Sequence, residues 1–169
     1  GRFLVKGQIE VSYFATGGAP TWGVPLIAES NAGRGGKFQI FKNQASFYWH
    51  PSADGGNAHQ VGGAIRAKWG ENRWENGPLG YPITDEITNP DGIGKRQAFQ
   101  HDSSIYWHPN TGAHQIGGQI GARWGELEWE ASYLGYPTTD ELSTPNGAAR
   151  FNHFENGSVY WAQPTGAHD

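Results

Sequence analysis

The chain repeats itself. Residues 62–99 read GGAIRAKWGENRWENGPLGYPITDEITNPDGIGKRQAF and residues 117–154 read GGQIGARWGELEWEASYLGYPTTDELSTPNGAARFNHF; 19 of these 38 positions are identical without a gap. With one residue deleted, the match continues through Tyr106-Trp107 against Tyr160-Trp161, then Thr111-Gly112-Ala113-His114 against Thr165-Gly166-Ala167-His168. The period is 55 residues. A diverged copy comes first. Gly7-Gln8-Ile9 matches Gly63-Ala64-Ile65, Tyr13 stands for Trp69, and Trp22-Gly23-Val24-Pro25 stands for Leu79-Gly80-Tyr81-Pro82. The chain therefore reads as three repeats: 1–61 (diverged, with a lead-in), 62–116 and 117–169. Repetition at this length marks a small supersecondary unit repeated in tandem.

Each repeat has its own punctuation. Ile65 and Trp69 lie four apart, which suits one face of a short helix. Leu79-Gly80-Tyr81-Pro82 is a turn, with glycine free to take positive φ and proline fixing its own φ. Asn89-Pro90-Asp91-Gly92 is another turn. Residues 95–100 and 103–108 read as two strands of a hairpin, and Asn156-Gly157 marks the matching bend in the third repeat. Only 36% of residues are hydrophobic, but 14% are aromatic. Large rings must therefore supply much of the buried area. The expected fold is mainly β: three tandem repeats, each a small multi-stranded unit with one short helix.

The remaining composition removes several functions. Net charge is -4 with no basic cluster, which argues against nucleic acid as a partner. No apolar run approaches about 18 residues, so no membrane span is expected. Cysteine and methionine are both absent, which suits an oxidising or exposed environment. No signal peptide is visible, and the sequence opens on Gly1, as a processed chain or a fragment would. No G-x-S-x-G elbow, P-loop or H-E-x-x-H occurs, so neither an enzyme nor a cofactor is expected.

Aromatic and polar residues together suit sugars, whose rings offer an apolar C–H face and a hydroxyl edge. The bland alternative is that the rings fill a core short of aliphatic residues. Strand alternation divides them. Phe47/Trp49, Ile105/Trp107 and Val159/Trp161 form an apolar face suited to the core. Tyr48/His50, Tyr106/His108 and Tyr160/Ala162 form the other, which makes Tyr48, His50, Tyr106, His108 and Tyr160 candidates for glycan contact. Inter-repeat hydrogen bonding by the tyrosines is the competing role. Asp85 and Asp140 are candidates for binding hydroxyls or for capping turns. As neighbours, Asp85-Glu86 and Asp140-Glu141 point apart, so neither pair makes a glycosidase dyad by itself. His59, His114 and His168 recur once per repeat. They would meet at a metal only in a closed threefold body, and interface hydrogen bonds are the simpler role; no metal site is expected.

The block G-x-I-x-x-x-W, L-G-Y-P-x-T-D-E, F-x-x-x-S-x-x-Y-W, T-G-A-H resembles the LGFP repeat, with Tyr81 and Tyr136 in place of its phenylalanine. The likeness spans the chain and is weakest in the first repeat, where Ile27-Ala28-Glu29 replaces Thr-Asp-Glu. It implies small β-rich units in tandem and a non-catalytic module that attaches to cell-wall or other polymeric glycan by multivalent contacts. It also implies an extracellular or wall location. A free-standing soluble lectin for a smaller glycan is the alternative, and a purely structural accessory domain of a wall hydrolase or esterase a further one. A linear stack and a closed pseudo-threefold body are the competing architectures.

Overall fold

The computed structural model describes residues 2–169. In chain order the elements are α1 (Gly7–Ala15), α2 (Gly18–Trp22), β1 (Ser30–Asn31), β2 (Lys37–Phe41), β3 (Ala45–Trp49), β4 (His59–Gly62) and α3 (Gly63–Glu71). Then follow β5 (Ile87–Thr88), β6 (Lys95–Phe99), β7 (Ser103–His108), β8 (Gly112–Gly117) and α4 (Gly118–Glu126). The last are β9 (Leu142–Ser143), β10 (Arg150–Phe154), β11 (Gly157–Ala162) and β12 (Gly166–His168). The strands form three four-stranded antiparallel sheets, one per repeat, ordered β1-β2-β3-β4, β5-β6-β7-β8 and β12-β11-β10-β9. The fold is mainly β with short helices, as the repeat pattern implies. No helix among the described residues is long and apolar enough to cross a membrane.

The chain divides into two compact units. The first runs through Ile87 and includes Gln97–His101; the second comprises Thr88–Arg96 and Asp102–Asp169. In the first unit, Ile9, Tyr13, Phe41, Ala45, Phe47 and Ala58 form a core cluster, edged by Val5, Trp22 and Trp49. In the second, the buried cluster includes Tyr106, Ile116, Ile120, Trp124, Leu134, Tyr136, Phe154 and Val159. Seven of these fourteen residues are aromatic, consistent with the shortage of aliphatics.

One device recurs in each repeat. The helix buries its i, i+4 pair: Ile9/Tyr13, Ile65/Trp69 or Ile120/Trp124. The ring then donates to the carbonyl of the turn glycine. Tyr13 Oη donates to Gly23 at 2.9 Å, Trp69 Nε1 to Gly80 at 3.0 Å and Trp124 Nε1 to Gly135 at 3.2 Å. The three glycines take φ of 78°, 76° and 74°, a region that favours glycine. The proline that follows in the turn forms a bridge to the sheet at Phe41, Phe99 or Phe154. The motif thus ties helix, turn and sheet of one repeat together.

Candidate functional site

Antiparallel register puts Ser30, Phe38, Tyr48 and His59 in one row across the first sheet, and Leu142, Phe151, Tyr160 and His168 in the matching row of the third. Residues directly opposite one another share a face. In the first unit that face is covered. Trp69, from the next repeat's helix, meets Tyr48 edge-on with ring centroids 4.7 Å apart. In the second unit Trp124 meets Tyr106 in the same way, also at 4.7 Å. Tyr48 and Tyr106 are only 5% and 7% exposed, whereas Tyr160 is 46% exposed. Burial, joined by repulsion from Glu75 for Tyr48 and Glu130 for Tyr106, pushes both phenols up to about 12.

This corrects the expected glycan face for two of its three tyrosines. Alternation places Tyr48 and Tyr106 opposite the first core, but a second core lies on that side too, so their rings offer no face to a sugar here. Tyr160 lies against Phe151 with centroids 5.0 Å apart and keeps an exposed ring. His50 Nε2 donates to Arg34 O at 2.8 Å, its Nδ1 accepts from Ser52 N at 3.0 Å, and its ring leans on Tyr81. His108 Nδ1 accepts from Asn110 N at 3.1 Å, and its ring leans on Tyr136.

The two aspartates are also engaged. Asp85 Oδ1 accepts from His59 Nδ1 at 2.8 Å and from Gln60 N at 3.3 Å. Asp140 Oδ1 accepts from His114 Nδ1 and from Gln115 N, each at 3.1 Å. Each aspartate reaches back to the last strand of the preceding repeat, while Thr84 and Thr139 serve locally, accepting from Ala98 N and His153 N. His59 also holds Asp54 at 2.7 Å. Burial opposes a charged imidazole there, but the carboxylates of Asp85 and Asp54 outweigh it and raise the His59 pKa.

The sequence reading missed two sets of residues. The first is a buried amide in mid-strand: Gln39, Gln97 and Asn152. Gln97 Nε2 donates to Gln60 O and Thr84 O, both at 2.8 Å; Asn152 Nδ2 donates to Gln115 O and Thr139 O. Their recurrence within the strand pattern was the available signal. The second set lies on the surface. Trp74 and Trp129 are 42% and 51% exposed, each just past the end of a helix. Their edges sit over Gly70 and Gly125, where an added Cβ would come within 2.9 and 3.0 Å of the indole Cε2. Backbone φ is positive at Arg73-Trp74 (67°, 49°) and Glu128-Trp129 (81°, 54°).

In the first repeat the two partners trade places. Phe14 stands where Gly70 and Gly125 stand, and Gly18, with φ of 60°, stands where the tryptophans do. The Phe14 ring lies over Gly18 and is 65% exposed. An aromatic ring backed by a glycine thus occurs at the end of the first helix of every repeat.

The LGFP repeat profile matches residues 23–77, 79–132 and 134–169. The chain belongs to the LGFP repeat family. The matched segments open on the glycine turn, whereas boundaries at 62 and 117 open on the helix; they cut the same LGFP period at different points. A search of curated proteins found no match.

Proposed function

We propose that this LGFP protein is a non-catalytic module that attaches to cell-wall or other polymeric glycan, acting outside the cell. The observation that supports this reading is the exposure of Phe14, Trp74 and Trp129, a large ring at the same helix end in each repeat, joined by exposed Tyr133 and Tyr160 in the third. In a chain short of aliphatics, burying those rings would add roughly 1.5–3 kcal/mol of stabilisation apiece, yet they stay in contact with water. Sugar rings use such surfaces through their C–H faces. Three weak contacts joined by one chain give avidity for a polymer that a single sugar unit cannot match.

The test is co-sedimentation of the full chain with purified bacterial wall sacculi, chitin and cellulose, with monosaccharides as competitors. Retention on at least one polymer, resisted by competing monosaccharide, is expected. A chain that stays in the supernatant with all three, or that turns over glycan, would falsify the reading.

A further inference from the structure

We propose that the glycine-backed rings Phe14, Trp74 and Trp129 are the saccharide seats of the three repeats, and that each takes the uncharged C–H face of a pyranose ring. This rests on the glycan-binding reading and goes further by naming the site and the ligand chemistry. Three observations carry it. The ring survives a change of bearer: Phe14 over Gly18 in the first repeat, Trp74 over Gly70 and Trp129 over Gly125 in the others. A capping role alone does not require that a large ring also remain half exposed in all three places.

The second observation is backbone strain. Arg73-Trp74 and Glu128-Trp129 place two consecutive non-glycine residues in the left-handed region, and the first repeat has Gly17-Gly18 at those positions. A non-glycine residue costs roughly 1–2 kcal/mol there. Where the ring comes from Phe14, the strained positions revert to glycine; where the ring must sit on the turn itself, the strain is kept.

The third observation is charge. Trp74 and Trp129 are each followed by a glutamate, but Glu75 is buried and accepts from Gly33 N, the preceding residues Arg73 and Glu128 differ in sign, and Phe14 is flanked by uncharged Tyr13 and Ala15. No sign of charge is shared, so the shared recognition element is the ring face. A neutral ring ligand follows, with binding insensitive to salt.

The experiment is co-sedimentation of the full chain and its variants with chitin, cellulose and wall sacculi at 0.1 and 1 M NaCl, with unfolding temperatures measured in parallel. Trp74→Ala and Trp129→Ala are expected to weaken binding about tenfold each, a step of about 1.4 kcal/mol, and Phe14→Ala about threefold, with similar binding at both salt concentrations. Gly70→Ala and Gly125→Ala keep the ring but push it off its seat; the clash falls on a half-exposed side chain and alanine is the better helix former, so an at least threefold loss with little change in unfolding temperature is expected. If the unaltered chain binds none of the polymers, the functional reading fails and the site with it. If the chain binds but the alanine and glycine variants bind equally well, the site assignment is overturned and the reading stands. Binding abolished by 1 M NaCl overturns the neutral-ring assignment in the same way. Should the alanine variants also lose unfolding temperature, the glycine variants decide.

Discussion

At the scale of single residues, the structure turns on a few places where size or protonation is set by a neighbour. His59 is held between Asp85 and Asp54, and its pKa is raised. A histidine raised on folding contributes stability that is whole below its unfolded pKa, about 6.5, and is lost as pH rises through the folded value. Urea midpoints should therefore fall from about pH 6 to pH 8, and His59→Gln should flatten that slope; an unchanged slope in the variant would show that His59 does not set it. Gly36 and Gly94 work by absence. A Cβ at either would run into the hydroxyl of Tyr81 or Tyr136 respectively. Gly36→Ala and Gly94→Ala should each cost about 1–3 kcal/mol of unfolding free energy, although neither glycine needs a left-handed backbone. Denaturant titration that finds them neutral would mean the tyrosines have room to move.

At the scale of elements, the decisive contact is between a helix and the sheet of the repeat before it. Trp69 on Tyr48 and Trp124 on Tyr106 are edge-on pairs, whereas among the described residues no tryptophan covers Tyr160, whose ring meets Phe151 and His153. Tyr48→Ala and Tyr106→Ala should cost about 3–5 kcal/mol each, the usual range for emptying a buried aromatic site. Tyr160→Ala should cost clearly less, about 1 kcal/mol, since Tyr160 is 46% exposed and its ring packs against Phe151 and His153 alone among the described rings. Chemical unfolding of the three variants separates these values easily. A small loss at Tyr106 would contradict the packing described above. The same helix end carries the exposed ring, so one element both closes a junction and presents a surface.

At the scale of the whole molecule, the proposed binding by three similar units in one chain would be a product rather than a sum. Removing seats one at a time should reduce retention on polymer by successive multiplicative steps, while affinity for a monosaccharide stays weak throughout. Retention measured for the single, double and triple variants of Phe14, Trp74 and Trp129 checks this. A single variant that abolishes retention outright would mean one dominant seat rather than three.

Much of this was legible in the residues alone. Period, repeat content, the short helix and the mainly β fold follow from local patterns: Ile65 to Trp69 at helical spacing, Leu79 to Pro82 as a turn, alternation along 103–108. Local backbone preference and amphipathic spacing act over a few residues, so the amino-acid order suffices. Other features needed the tertiary structure. Alternation separates Tyr106 from Ile105, but it cannot say that a tryptophan from the next repeat lies over the tyrosine side. The Asp85–His59 and Asp140–His114 pairs span 26 residues each, and both members recur in the repeat without revealing that they meet. The exchange of Phe14/Gly18 for Gly70/Trp74 reads as divergence in the aligned sequences. Only in space does it become conservation of a ring, because an aromatic side chain can reach the same surface from either end of a helical turn.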